Sequence, residues 1–118
     1  MRQLARIVPE THGDDDVVVA RIEGEIDLSN AQPIGDRLRD LLTNHSVALI
    51  VDLGPTTYLD SSGIALMFAL FDELRRRQQK LHLVVPEGSR LTRVINITGL
   101  DRAVPTHGTL EGALEGAR

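Results

Sequence analysis

Hydrophobic and polar positions along the chain fall into alternating stretches of two rhythms. Val17-Val18-Val19-Ala20-Arg21-Ile22 is rich in β-branched residues and predicts a strand. Ahead of it, residues 4–8 predict a short edge strand that stops at Pro9, which has no N–H to give to a ladder. Residues 10–16, with Gly13 and three consecutive aspartates, predict the turn of a hairpin between them. The rhythm then becomes helical. Ile34, Leu38, Leu41 and Leu42 share one face, with Asp36, Arg37, Arg39 and Asp40 largely elsewhere. Ser29 with Gln32 three residues on fits a capping box, and Pro33 is tolerated in the first turn, so the helix is expected to run to about Thr43.

Residues 47–53 form a short continuous apolar run, as a fully buried strand requires. After a loop over residues 54–58 comes Leu59-Asp60-Ser61-Ser62-Gly63, and then a long apolar helix expected to reach Gln79. Residues 81–85 predict a further strand, residues 89–97 a third helix closed by Thr98-Gly99, residues 103–105 a last short strand, and Thr109 the cap of a final helix ending near Gly116. Strands alternating with helices after an initial hairpin give an α/β fold. The expected architecture is a single domain over residues 1–118, a mixed, mostly parallel sheet of four to five strands with about four helices packed on it.

The second helix is more apolar than docking to a sheet demands. Leu66, Met67, Leu70, Phe71 and Leu74 already make one continuous face. Phe68, flanked by Ala65 and Asp72, points away from that face, and Ile64 lies on the border. Either the final helix buries this surplus, or it forms an exposed spot beginning one turn from Ser61 that suits a protein partner.

A chain of 118 residues is long enough for one core without metal or disulfide staples. The absence of cysteine excludes thiolate chemistry and Cys-type zinc sites. A formal charge of −4 and only three aromatic residues argue against nucleic-acid binding. No stretch has the length of a membrane span or a signal sequence, so a cytoplasmic protein without membrane contact is expected. Lys80 is the only lysine among thirteen basic residues.

Catalytic constellations are not evident, and no cofactor is implied. The serines lack the flanking glycines of a nucleophile elbow, and the phosphate-cradling loop that ends in Lys-Ser or Lys-Thr is absent. His12, His45, His82 and His107 have no metal-site spacing. Asp27 and Asp60 each end a strand-side segment and would lie together at one sheet edge. Paired carboxylates suit acid–base or Mg²⁺ chemistry, but with nothing else in support, capping and turn roles are preferred. At Asp60-Ser61-Ser62 the residue types are those of an N-cap, and two hydroxyls at a helix start also stand where a phosphate is well placed.

Gly24-Glu25-Ile26-Asp27, Leu49-Ile50-Val51-Asp52-Leu53 and Leu59-Asp60-Ser61-Ser62-Gly63-Ile64 together resemble the STAS-domain family. More closely, they are similar to the bacterial anti-sigma factor antagonists of sporulation and stress switches. Leu91-Thr92-Arg93-Val94-Ile95 with Thr98-Gly99-Leu100-Asp101 extends the likeness, which runs from about Leu4 to Leu114. The resemblance implies a compact STAS-like domain that is not an enzyme. It implies phosphorylation on Ser61 by an anti-sigma factor that is also a serine kinase, reset by a serine phosphatase. The unphosphorylated form would bind the anti-sigma factor and free a sigma factor. Asp27, Asp60, Ser62 and Gly63 are the expected neighbours of the phosphosite, and Ile64, Ala65, Phe68 and Asp72 the expected partner-binding residues. Some STAS proteins instead serve as non-switching scaffold subunits of larger signalling or lipid-transport assemblies, which is the alternative implied.

Overall fold

A computed structural model describes residues 4–12 and 16–118. β1 (Arg6–His12) and β2 (Val17–Ile26) form the antiparallel hairpin. The apex of its expected turn, Gly13 to Asp15, lies outside the described residues. β1 does not stop at Pro9, which pairs with Ala20 in the middle of the strand. As β1 is the edge of the sheet, the missing N–H costs no ladder bond on its open side.

The element order continues with α1 (Ala31–Asp40), β3 (Ala48–Asp52), β4 (Thr56–Leu59), α2 (Ser61–Arg76), β5 (Lys80–Val84), α3 (Thr92–Thr98), α4 (Leu100–Ala103), β6 (Thr106–His107) and α5 (Leu110–Ala117). Along the sheet the order is β1-β2-β3-β5-β6, with β4 on β2, and every pairing except β1–β2 is parallel. The mixed, mostly parallel α/β fold is as expected. It holds six strands and five helices among the described residues because β4 and α4 were not foreseen.

Strand alternation sends side chains to two unequal cores. Val18, Ala20, Ile22, Leu49, Val51, Leu81 and Leu83 face the large one, where α1 and α2 contribute Leu38, Met67 and Leu70 among others. Val17, Val19, Ala48, Ile50 and Val84 face the small one, closed by Ala113 and Ala117 of α5. The final helix therefore covers the opposite face of the sheet and does not bury the surplus apolar surface of α2. Helices α1 and α2 are clamped by a two-point ion pair, with Arg39 Nε donating to Glu73 Oε2 at 2.7 Å and Nη2 to Oε1 at 3.0 Å. The Arg39 hydrogen bond holds the Glu73 carboxyl below its ordinary pKa.

On the α5 face the buried His82 ring stacks on His107 with centroids 5.1 Å apart, and His82 Nδ1 lies 2.8 Å from His107 Nε2. One N–H and one lone pair make this bond, so it fails when both rings are protonated. Burial first, then the neighbouring His107 and Lys80, lower the His82 pKa from its usual 6.5. A lowered folded-state pKa means that the unfolded chain binds the proton more tightly. The stabilisation is thus complete above about pH 6.5 and lost as pH falls below it. Thermal melting from about pH 8 down to about pH 5 should show the midpoint fall in the acid half, and His82→Leu should flatten that slope.

Candidate functional site

The site is built where β2 and β4 end side by side. Gly24 has φ of 105°, a conformation that glycine takes without strain, and the register slips by one residue between Gly24 and Glu25. β2 pairs with β4 from Gly24 onward, and the slip leaves Thr57 as an extra residue of β4, so that Ile26 pairs with Leu59. Residues 54–58 were expected to be a loop. Thr56 instead donates its hydroxyl to the Ile22 carbonyl at 2.7 Å and opens β4.

Because Ile26 and Leu59 are register partners, Asp27 and Asp60 emerge together at the carboxyl edge of the sheet, as the sequence suggested. Each carboxylate organises backbone. Asp60 is the N-cap of α2: its Oδ1 accepts from the Ser62 N–H at 2.8 Å and the Gly63 N–H at 3.2 Å. Its Oδ2 accepts from the Leu28 N–H at 3.3 Å, tying the β2–α1 turn to the start of α2. Asp27 is 7% exposed, and its Oδ1 accepts from the Ser29 N–H at 2.9 Å and the Ser29 hydroxyl at 2.5 Å.

Those bonds explain why the expected capping box of Ser29 and Gln32 does not form. Ser29 is taken by Asp27, and α1 begins one residue later, after Asn30. Asn30 is buried and braces the turn, accepting from the Asp27 N–H at 2.8 Å and donating to the Glu25 carbonyl at 2.8 Å. Pro33 falls at the third helical position, where no intrahelical partner awaits an N–H.

Ser61 is exposed at the first position of α2, while Ser62 is half-buried. Gly63 is a close-approach position. A Cβ there would stand 2.3 Å from Leu59 Cδ1 and 3.2 Å from Ile26 Cγ2, so the helix start could not lie against the two strand ends. Next to Ser61 an open cleft of about 560 Å³ is lined by Glu25, Asp27, Leu28, Ser29, Tyr58 and Asp60. Leu28 is 81% and Tyr58 46% exposed, which adds apolar surface to a lining that also holds Glu25, Asp27 and Asp60. Sequence reasoning missed both. Leu28 was read with the start of a helix and Tyr58 with a loop, and only the β2–β4 pairing unites them.

Along α2, Ser61, Ala65, Phe68 and Asp72 follow one another at spacings of four, three and four, which makes a single stripe. Ala65 and Asp72 are exposed, and Phe68 is half-buried with its inner side packed on the large core. Ile64 does not belong to this stripe. It is 5% exposed and part of the core, so it offers a partner no surface. Among the described residues there is no group of three or more His, Cys, Asp or Glu side chains suited to a metal ion, and no helix long and apolar enough to cross a membrane.

The profile of the STAS domain matches residues 8–113. The anti-sigma-F factor antagonist RsfB of Mycobacterium tuberculosis is 32% identical over 102 residues, which cover 86% of this chain and 82% of that protein. The anti-sigma-B factor antagonist of Listeria monocytogenes is 30% identical over 103 residues, covering 87% and 89%. Among solved structures, an anti-sigma factor antagonist from Mycobacterium paratuberculosis superposes with a TM-score of 0.83 at 28% identity, covering 97% of this chain and 94% of the other. SpoIIAA in its unphosphorylated form shares the fold, with a TM-score of 0.76 at 22% identity and 96% of each chain covered.

The Asp60 bonds generate a first test of the site. Asp60→Ala should lower stability by about 1 to 2 kcal/mol in denaturant titration, the cost of an N-cap, and raise amide exchange at Leu28 as well as at Ser62 and Gly63. Gly63→Ala should cost about 1 to 3 kcal/mol through overpacking against Leu59.

Proposed function

This chain belongs to the STAS-domain family, and from that premise we propose that it is an anti-sigma factor antagonist switched by phosphorylation of Ser61. Its unphosphorylated form binds an anti-sigma factor that is also a serine kinase, and so releases a sigma factor. A serine phosphatase acting on phospho-Ser61 resets it. The protein works by binding rather than by catalysis, in the bacterial cytoplasm, and stress response or sporulation is the setting. The relatives from Mycobacterium tuberculosis and Listeria monocytogenes, at 32% and 30% identity, carry antagonist names, which supports the antagonist role.

The observation that carries the switch is the use of the helix start by Asp60. Of the two serines, Ser61 is the exposed one, at the head of the stripe that continues through the exposed Ala65 and Asp72. A phosphate added there meets a helix N-terminus whose Ser62 and Gly63 N–H groups are already held by a carboxylate. It is not drawn into the fold, and it stands beside a cleft whose lining includes Glu25, Asp27 and Asp60. A phosphoserine carries about −1.5 to −2 charge near neutral pH. The helix dipole tolerates this charge in the free protein. In a complex the same phosphate must be desolvated near carboxylates. A penalty of about 3 kcal/mol weakens binding more than a hundredfold, with no change of conformation.

The docking surface comprises Leu28, Tyr58, Ser61, Ala65, Phe68 and Asp72, with Asp27, Asp60, Ser62 and Gly63 as its framework. Ser61→Ala should remain folded and bind the anti-sigma partner permanently, whereas Ser61→Asp should bind more weakly; equal affinities in calorimetry would sink the switch. Incubation with the kinase and ATP should add one phosphate, mapped by peptide mass to Ser61, and a phosphate on Ser62 would refute the assignment. Leu28→Ala should weaken the complex by about tenfold with no loss of melting temperature, as its side chain lies almost wholly in solvent. Phe68→Ala should weaken it too, with a small loss of stability from its inner side.

A further inference from the structure

A second concavity lies about 20 Å along α2 from Ser61, at the opposite end of that helix. It has a volume of about 340 Å³, and its walls include Phe71, Arg75, Lys80, Leu81, Pro105 and Gly116. The cavity exists because β6 is short. β6 pairs only with Leu83 and Val84 of β5, and Pro105 before it has no N–H with which to carry the ladder back towards Leu81. Leu81, itself 1% exposed, therefore lies at the base of the gap beyond β6. The C-terminal half of α2 stands on one side of that space and the end of α5 on the other.

We propose that this cavity binds a small amphipathic anion, a carboxylate with a short alkyl tail. The tail lies between the Phe71 ring and Pro105, over the floor made by Leu81. The carboxylate is held at the mouth by Arg75 and Lys80. No Asp or Glu lines the cavity, so its field is cationic in a chain whose net charge is −4. Lys80 is exposed and has no ion-pair partner among the described residues. Arg75 is 70% exposed, rests over Phe71 at 5.7 Å, and touches Asp72 only at 3.7 Å. Lys80 is free to turn to a ligand, and Arg75 holds only a solvent-exposed ion pair that a ligand carboxylate can replace. His82 Nδ1 is committed to His107 Nε2 at 2.8 Å and is not available to the ligand. A peptide strand is a poorer occupant, because Leu81 is the only residue of this free stretch whose backbone faces outward, and strand addition needs several such pairs. The volume lies within the range of small-molecule sites.

Titration of the full chain with sodium octanoate below its micellar range, followed by amide NMR, tests this. Saturable shifts are expected at Phe71, Leu81 and Gly116, with Ser61 unmoved. Octan-1-ol, which lacks the charge, and acetate, which lacks the tail, should each bind at least about tenfold more weakly. The Arg75→Ala/Lys80→Ala double variant should lose about tenfold in affinity, and Lys80→Gln provides a milder second variant should the double one lose stability. Because Lys80 is the only lysine, octanoate should also slow its acetylation by acetic anhydride, read by peptide mass. Shifts absent or scattered away from the cavity, octan-1-ol binding as tightly as octanoate, or affinity unchanged in both variants would each overturn the proposal.

Discussion

Everything at the Ser61 end depends on one carboxylate with bonds in two directions. Asp60 caps α2 through Ser62 and Gly63 and holds Leu28 of the neighbouring turn. That arrangement depends on the register slip beside Gly24, which skips Thr57 and sets Ile26 opposite Leu59. Through it, two chain segments far apart in sequence form one surface that carries an exposed serine. The glycine two residues after Ser61 completes it by letting the helix start lie directly on the paired strand ends.

Under the proposed switch, the same bonding lets a covalent charge act here without disturbing the fold. Helix starts commonly attract phosphate because their N–H groups lack partners. In this chain Asp60 has already supplied partners to those of Ser62 and Gly63. A phosphate on Ser61 is consequently left outward, among carboxylates, where it costs little in the free protein and much in a buried interface. The half-buried Phe68 and the exposed Leu28 and Tyr58 would give the proposed interface its apolar area. Stability is kept elsewhere, in the large core between the sheet, α1 and α2 and in the smaller one under α5.

Much of this was legible in the sequence. The β-branched run at residues 17–22, the apolar run at β3 and the Asp60 cap are local patterns, and local patterns survive folding. The likeness of three separated motifs to STAS proteins supplied the order in which they combine. Long-range pairing was not legible. The edge position that rescues Pro9, the pairing that turns Thr56–Leu59 into a strand, and the capture of Ser29 by Asp27 each depend on a partner distant in sequence or on competition between neighbours. The amphipathic pattern of the last helix announces that it packs on the sheet but not on which face. Ile64, at the border of the two faces of α2 and expected among the partner-binding residues, is drawn into the core, which helical periodicity alone does not decide.

The central claim is that phosphate on Ser61 acts at the surface and not through the fold. Amide NMR spectra of the free protein with and without phospho-Ser61 test this most directly. The account predicts shifts confined to residues 25–30 and 58–65, with β3, β5 and α5 unchanged. Shifts spreading across the sheet to α5 would show a change of conformation and contradict it.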